Sequence, residues 1–216
     1  METKTACVGC VIMASGLSRR FGSNKLLAEF ARQPLLCRAF AATDTPLLAA
    51  RLVVTRSAEV QALCCAHGVP VLLHTLPGRN DTVRLGLSAL LAQQPGLQGC
   101  IFLPGDQPLL RRETLETMLR AFSADVQTQK ETERAIFRLG FRAENDPEPL
   151  VGSPVLFGSG FFPELLTLPE GKGGNVLLRK YPAQVHTVYA AHREELSDAD
   201  TPDALAQLEA IFQQMG

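Results

Sequence analysis

The stretch that decides the fold is Val8–Lys25, which reads VGCVIMASGLSRRFGSNK. Its first part, Val8–Met13, is a continuous apolar run that predicts a buried strand, and the polar, glycine-containing remainder predicts a loop. In an open α/β sheet, ligands collect beyond the carboxyl ends of the strands. We therefore expect this loop to lie at the functional edge of the sheet.

Beyond this stretch, short apolar runs alternate with amphipathic segments over the first half of the chain. Repeated β-then-α units predict a right-handed, mostly parallel sheet, and continuous apolar strands indicate helices on both of its faces. The fold class is therefore α/β, a three-layer Rossmann-like arrangement. Further strands are predicted at Arg51–Thr55, Val69–Leu73 and Ile101–Leu103, and helices at Pro34–Ala42, Ala58–Ala66, Asp81–Gln93 and Glu113–Phe122.

The second half of the chain is less regular. Residues 124–149 are polar, carry charges of both signs and contain one plausible strand, Ala135–Leu139, so we expect an excursion from the sheet. Because the sequence shows no internal repeat and no linker, we predict one domain over residues 1–216. The remaining elements are predicted at Val151–Phe157, Phe161–Leu166, Val185–Tyr189 and from about Pro202 to Phe212.

Composition and charge narrow the class of protein. The net charge of −1 gives no general attraction to nucleic acid or to an anionic membrane surface. No apolar run approaches the ~18 residues needed to cross a bilayer. Six cysteines are present, and Cys7 and Cys10 have CxxC spacing, but a strand puts these two on opposite faces and no second pair completes a zinc site. We expect a cytoplasmic protein with buried thiols.

The loop after the first strand has the composition of a phosphate-binding site. Its glycines permit tight turns in which main-chain N–H groups approach an anion, its serines add hydroxyl donors, and its basic residues add positive charge. These residues are Ser15, Gly16, Ser18, Arg20, Gly22 and Lys25. The dinucleotide and Walker patterns both fail, since GxGxxG is absent and Lys25 is followed by Leu26. The alternative is an ordinary polar surface loop.

The same stretch resembles the signature L-A-A-G-x-S-x-R-x-G-x-x-K of nucleotidyltransferases with a GT-A-like fold. Within them it most resembles the molybdenum cofactor cytidylyltransferases, often described as molybdenum hydroxylase accessory proteins. Ser15 stands where Ala is commoner, and Arg20 rather than Arg19 is the signature arginine. The resemblance implies a fold of the nucleotide-diphospho-sugar transferase type. The positions that match the signature are Met13, Ala14, Gly16, Ser18, Arg20, Gly22 and Lys25. For nucleotide binding the resemblance implies Ser15 and all of these positions except Met13.

A carboxylate follows the predicted strand Ile101–Leu103. Pro104 and Gly105 end that strand and leave Asp106 over the sheet edge, where it can hold Mg²⁺, a cation that favours one or two carboxylates plus phosphate oxygens and water. The alternative is a turn or N-cap aspartate. The resemblance implies the metal role, since the family carries its metal-binding aspartate in this G-D-Q-P element.

A second source of carboxylates is Asp198-Ala199-Asp200-Thr201-Pro202, just before the last predicted helix. Asp200 or Thr201 can be its N-cap, with Pro202 in the first turn. The resemblance implies that this D-x-D-T-P segment is a second metal-contacting element. Which of Asp198 and Asp200 contacts metal stays open.

Two further segments are candidate binding loops. Residues 78–84, between a strand and a helix, can hold nucleotide at the helix N-terminus or form an ordinary cap at Asn80 or Asp81. The resemblance implies nucleotide contacts there from Gly78, Asp81, Thr82 and Arg84. It also implies acceptor contacts from Gly152, Ser153 and Pro154, and a flexible cationic turn at 171–175 suggests Lys172; turn chemistry explains both equally well. His67, His74, His186 and His192 lack metal spacing, and we assign them no role.

Together these features predict Mg²⁺-dependent transfer of a nucleoside monophosphate, with an acceptor phosphate attacking the α-phosphorus and pyrophosphate leaving. Catalytic roles fall to Arg20, Lys25 and Asp106. The resemblance implies CTP and the molybdenum cofactor (molybdopterin) as substrates, with a molybdenum hydroxylase apoenzyme as a further partner. Three alternatives stay open: a guanylyltransferase on the same pterin, a sugar- or polyol-phosphate nucleotidyltransferase, and a non-catalytic carrier of the cofactor.

Overall fold

Strand β1, the first part of the stretch quoted above, lies in the interior of the main sheet of the computed structural model, which describes residues 5–18, 20–128, 134–144 and 148–215. The strands are β1 (Val8–Ala14), β2 (Glu29–Phe30), β3 (Gln33–Pro34), β4 (Ala50–Thr55), β5 (Val71–Leu73), β6 (Gly99–Pro104), β7 (Ile136–Phe141), β8 (Leu150–Gly158) and β9 (Val185–Tyr189). The helices are α1 (Leu36–Ala42), α2 (Ala58–Ala66), α3 (Arg79–Gln93), α4 (Arg112–Thr128), α5 (Phe162–Leu166), α6 (Asn175–Lys180) and α7 (Pro202–Met215).

The main sheet has seven strands in the order β5-β4-β1-β6-β8-β7-β9. β1 pairs in parallel with β4 and β6, and β4 with β5; on the other side, β7 pairs in parallel with β9. Strand β8 is antiparallel to both of its neighbours, β6 and β7. The prediction of a mostly parallel sheet is therefore confirmed.

Both faces of the sheet are buried, because successive side chains of β1 enter different apolar clusters. Cys10 and Ile12 belong to a cluster that includes residues of α1, α2 and α4, whereas Val11 belongs to one that includes residues of α3 and α5. Cys7 packs against the second cluster, so the two CxxC thiols lie on opposite faces, as predicted. In the described part of the chain no helix is long and apolar enough to span a membrane.

Most predicted elements are found, with differences mainly at their ends. Pro34 lies in the small β2–β3 ribbon opposite Glu29, so the helix predicted from Pro34 begins at Leu36. Helix α3 begins two residues earlier than predicted, at Arg79. The predicted excursion over residues 124–149 is wrong in part, because α4 continues to Thr128 and β7 lies inside the sheet between β8 and β9. Residues 129–133 and 145–147 of that segment lie outside the described residues.

Candidate active site

The carboxyl ends of β1 and β6 place two of the predicted motifs side by side. Met13 is opposite Pro104 in the parallel register, and the Gly105 N–H donates to the Met13 carbonyl at 3.1 Å. A Cβ atom at residue 105 would lie 2.9 Å from Cδ1 of Leu36 and 3.3 Å from the Met13 oxygen. A glycine at 105 therefore lets the chain turn tightly after β6 and brings Asp106 over the first loop.

Lys25 joins three motifs that are far apart in the sequence. Its Nζ lies 2.5 Å from Oδ2 of Asp106 and 2.8 Å from Oδ1 of Asp200, and its side chain is only 11% exposed. Arg20 Nη2 donates to the other oxygen of Asp200 at 2.6 Å, from a mostly exposed position. The structure thus joins the three predicted catalytic residues in one cluster, in which Lys25 pairs with Asp106 and shares Asp200 with Arg20.

Local hydrogen bonds shape the loop that carries Lys25. Ser18 has a φ of 47°, in the left-handed region, and its carbonyl accepts from the Phe21 N–H at 2.9 Å. Its hydroxyl oxygen accepts from the Lys25 N–H at 3.2 Å, so Ser18 closes the turn while its own hydroxyl proton can still be donated. Asn24 caps the 3₁₀ turn Lys25–Leu27 through the Leu26 N–H. The predicted Gly22 also needs its flexibility, with a φ of +79°. Arg19 lies outside the described residues.

The segment that carries Asp198 and Asp200 is fixed by main-chain contacts. The Ala199 N–H donates to the Asp106 carbonyl at 2.9 Å, and Ala199 is fully buried. Thr201 rather than Asp200 caps α7, since its Oγ1 accepts from the Ala204 N–H at 3.1 Å. Asp200 therefore stays free to pair with Lys25 and Arg20.

Upstream of this segment, the buried carboxylate of Glu195 makes two main-chain hydrogen bonds. It accepts from the N–H of Arg111 at 3.2 Å and of His192 at 3.4 Å. Glu195 thereby ties the chain before Asp198 to the chain that follows Asp106.

The cluster has more negative than positive charge at its centre. A hydrogen bond from Lys25 lowers the pKa of Asp200 below its ordinary value. Burial opposes protonation of Lys25, but its hydrogen bonds to Asp106 and Asp200 outweigh burial and raise the pKa of Lys25. Burial of the carboxyl group and the charge of Asp106 raise the pKa of Asp198 to about 6. Desolvation of the carboxyl group is the larger cause of this shift, and the negative charges of Asp106 and Asp200 add to it.

The donors present fit a divalent cation. Asp106 and Asp198 offer hard oxygen ligands, and the raised pKa of Asp198 shows that positive charge beside it would be favourable. In the described ranges no three His, Cys, Asp or Glu side chains form a ready metal cage. Mg²⁺ is commonly held by one or two carboxylates and completed by substrate phosphates and water.

The second predicted nucleotide loop is held mainly by its own side chains. The Gly78 N–H donates to Oδ2 of Asp81 at 3.0 Å, and Arg84 pairs with the other oxygen at 3.0 Å. Asp81 therefore caps α3, and Asn80 instead accepts from the Gly171 N–H at 3.1 Å. Thr82 is buried in α3. The alternative in which this loop forms a helix cap therefore describes its hydrogen bonds. The Gly78 N–H is already occupied by Asp81.

The predicted acceptor residues lie on two different segments. Gly152, Ser153 and Pro154 lie at the start of β8, and Gly152 lies beside Leu196 in the chain leading to Asp198. Lys172 lies in the turn before α6, whose Gly171 contacts the second loop. The structure therefore places Gly152 beside the segment that leads to Asp198, and Lys172 next to the residue that contacts Asn80.

A cavity of about 180 Å³ opens between the first loop and the chain after β4. It is lined by Ala14, Ser15, Gly16, Leu17, Ser18, Asn24, Arg56 and Ser57. Arg56 donates twice to the Ser15 carbonyl, from Nε at 3.0 Å and from Nη2 at 2.6 Å. His74, directly after β5, lies 2.9 Å from the Ser15 hydroxyl. Arg56 and His74 were not among the predicted site residues, although each comes directly after a predicted strand at the functional edge.

Comparison with protein families gives a match over most of the chain. The model of the family described as MobA-like NTP transferase domain matches residues 10–187. The span includes the first loop, the second loop and Asp106, and it ends before Asp198 and Asp200.

A curated relative is named 3-deoxy-manno-octulosonate cytidylyltransferase, from Koribacter versatilis (strain Ellin345). It is 33% identical over 120 residues, which are 55% of this chain and 44% of that protein. The matched part therefore spans less than half the length of this relative.

Solved structures share the fold over nearly the whole chain. Rv0371c from Mycobacterium tuberculosis has a TM-score of 0.77 at 22% identity, with 95% of this chain and 99% of that chain covered. The 4-diphosphocytidyl-2C-methyl-D-erythritol synthase of Anaerococcus prevotii has a TM-score of 0.71 at 12% identity, covering 96% of each. CMP:2-keto-3-deoxy-manno-octonic acid synthetase, solved with CTP, has a TM-score of 0.69 at 15% identity, with 99% of this chain and 100% of that chain covered. The GT-A-like nucleotidyltransferase fold is confirmed.

Proposed function

Because the chain belongs to the family of MobA-like NTP transferase domains and is a nucleotidyltransferase, we propose that it transfers the cytidylyl group of CTP to a phosphorylated acceptor. The observation that carries this proposal is the position of Lys25 between Asp106 and Asp200, with Arg20 beside them. Two cations next to carboxylates at the edge of an α/β sheet suit a triphosphate and its metal. The name of the curated cytidylyltransferase supports CTP as the donor.

The reaction proposed is an in-line displacement. An oxygen of the acceptor phosphate attacks the α-phosphorus of CTP, the bond from that phosphorus to the bridging oxygen breaks, and pyrophosphate leaves with the electron pair. Lys25 and Arg20 bind the phosphate oxygens and stabilise the charge that develops on the leaving group. Both cations are held in place by Asp200 before substrate arrives.

Asp106 and Asp198 are the proposed ligands of Mg²⁺. When bound there, Mg²⁺ neutralises the phosphates and polarises the α-phosphoryl group. The main-chain bond between Ala199 and Asp106 keeps the two carboxyl groups next to each other.

For the acceptor we propose the molybdenum cofactor, the pterin phosphate called molybdopterin. Support comes from three separated motifs that match the molybdenum cofactor cytidylyltransferases: the first loop, G-D-Q-P at Gly105–Pro108 and D-A-D-T-P at Asp198–Pro202. A sugar acid is the second candidate acceptor, because the curated relative is named for 3-deoxy-manno-octulosonate. This acceptor has no phosphate, so a hydroxyl oxygen of the sugar acid would attack the α-phosphorus in its place and release its proton.

Pyrophosphate release tests both assignments. CTP and GTP are each supplied with molybdopterin, with 3-deoxy-manno-octulosonate or with a sugar phosphate, in Mg²⁺ and in excess chelator. We expect turnover only with CTP and molybdopterin, and only in Mg²⁺ and not in excess chelator. Release with the sugar acid and not with the pterin would replace the acceptor, and binding of molybdopterin without any pyrophosphate would identify a carrier.

The same assay tests the residues. Asp106→Ala and Lys25→Ala should each lower turnover by ~10²-fold or more, the scale of single electrostatic groups in active sites. Arg120→Ala is the matched control, since Arg120 pairs with Glu116 on α4, away from the site. Full activity in either site variant would remove that residue from the mechanism.

A further inference from the structure

The Ser15 hydroxyl has two partners, which together define its hydrogen bonds. Oγ lies 3.0 Å from the Val54 carbonyl oxygen and 2.9 Å from Nε2 of His74. Because a carbonyl oxygen can only accept, the single hydroxyl proton is donated to Val54. The serine oxygen must then accept from His74, which therefore carries its proton on Nε2.

His74 has few other interactions that could explain its position. The residue is buried, and its Nδ1 has no hydrogen-bond partner in the part of the chain that the structure describes. Burial, and next the charge of Arg56, lower the pKa of His74, while Asp81 opposes them. The imidazole is thus neutral near pH 7. Among the described residues, the hydrogen bond to Ser15 is the one that the imidazole makes.

The bonds of Ser15 attach the first loop to two other segments. Arg56 holds the Ser15 carbonyl from the chain after β4, and His74 holds the hydroxyl from the chain after β5. Ser15, Gly16 and Leu17 line the cavity of about 180 Å³. A loop fixed before ligand arrives does not lose that freedom on binding, which improves affinity.

We propose that His74 is a positioning residue, which through the Ser15 hydroxyl fixes the first loop for nucleotide binding. This inference rests on the proposed function. His74 contacts neither Lys25 nor Asp106 in this arrangement, so its loss affects how well nucleotide is bound more than how fast the bound nucleotide reacts.

The test compares two replacements of His74. His74→Leu removes the donor, whereas His74→Gln keeps an amide N–H at a similar distance along the side chain. We expect His74→Leu to raise the Kd and KM for CTP by ~10-fold, the order of one directed hydrogen bond, with kcat within about threefold. His74→Gln should bind CTP within about threefold of wild type. His67→Leu is the control, since His67 is an exposed histidine beside Cys37, after α2.

A double-mutant cycle with Ser15→Ala makes the coupling explicit. If His74 acts through Ser15, the double variant Ser15→Ala/His74→Leu should bind CTP no more weakly than the weaker single variant. Fully additive losses would overturn the inference, as would a His74→Gln variant as weak as His74→Leu. Unchanged CTP affinity in His74→Leu would overturn it as well. If His74→Leu does not fold, the Ser15→Ala and His74→Gln affinities decide.

Binding is measured by calorimetry with CTP, GTP, UTP and ATP. A wild-type protein that binds another triphosphate in place of CTP overturns the cytidylyl assignment, and the His74 comparison is then made with that nucleotide. A wild-type protein that binds CTP, with His74→Leu equal to it, overturns the inference about His74 alone. No binding of any triphosphate overturns both.

Discussion

Replacement of Asp198 by asparagine should stabilise the free protein near neutral pH while lowering its activity. Burial and the charge of Asp106 raise the pKa of Asp198 from 3.8 to about 6 in the folded protein. Between these two values the folded protein holds a proton that the unfolded chain has released. This group therefore costs nothing below about pH 4, and it costs stability progressively as the pH rises to 6.

The size of the expected stability change follows from the pKa shift and from the solvent exposure of Asp198. A shift of about two pKa units corresponds to about 3 kcal/mol if no solvent screens the charge. The residue as a whole is exposed although its carboxyl group is partly desolvated, so water screens part of the interaction and we expect about 1 kcal/mol. Asparagine retains an oxygen that can accept from Gln107, which hydrogen-bonds to the Asp198 side chain.

The assay is urea unfolding in chelator at pH 4 and pH 8, followed by far-UV circular dichroism. The variant should exceed wild type by about 1 kcal/mol at pH 8 and equal it at pH 4. Its turnover with Mg²⁺ should fall by ~10²-fold, as for loss of an electrostatic group. Glu170→Gln, at an exposed carboxylate outside the site, should change neither quantity. The prediction would be wrong if the variant were less stable than wild type at pH 8, or if its gain in unfolding free energy over wild type were the same at pH 4 and pH 8.

The other two predictions concern residues of α5 and α3, two of the helices that cover the main sheet. Glu164 accepts from Arg134, Lys180 and Tyr181. The hydrogen bonds from Lys180 and Arg134 lower the pKa of Glu164 to about 2. Glu164→Gln should therefore cost about 1 kcal/mol at pH 7, and most of this difference should vanish as the pH falls from 4.5 to about 2, because the unfolded chain then binds a proton that the folded carboxylate still excludes; a loss in denaturant unfolding that does not depend on pH would contradict this. A Cβ at Gly86 would lie 2.7 and 2.8 Å from the Val11 methyls. Gly86→Ala should therefore cost about 1–3 kcal/mol by overpacking, and Val11→Ala should recover part of it; an unchanged Tm would show that the helix simply moves away.

The elements predicted most accurately are those with local end signals. Helix α2 has the predicted bounds, because Ser57 caps it through the Val60 N–H and Gly68, with a φ of +64°, follows it. The start of α3 could not be predicted in the same way. Its N-cap is a glycine without a side chain, and Asp81, predicted as the first residue, is the third and reaches back to Gly78.

The candidate site was predictable as a set of motifs but not as a set of contacts. Strand ends in one sheet share an edge, so the first loop and Asp106 could be placed there from the sequence. The ion pair of Lys25 with Asp200 depends on where the chain returns after β9, which no local pattern encodes. His74 gave no signal in its spacing, because the side chain that it contacts, Ser15, is 59 residues away.

The long separation between Lys25 and Asp200 has a consequence for the order in which the protein is made. The hydrogen bonds of Asp200 to Lys25 and Arg20 connect residues 175 and 180 positions apart. A nascent chain that has emerged only as far as β9 contains every strand of the main sheet, yet it lacks the carboxylate that holds these cations. Local and sheet contacts can form during synthesis, whereas this contact must wait for the segment before α7. The cluster of Lys25, Arg20 and Asp200 is therefore completed last, and a translation product that stops at β9 would contain the strands of the sheet without the complete cluster.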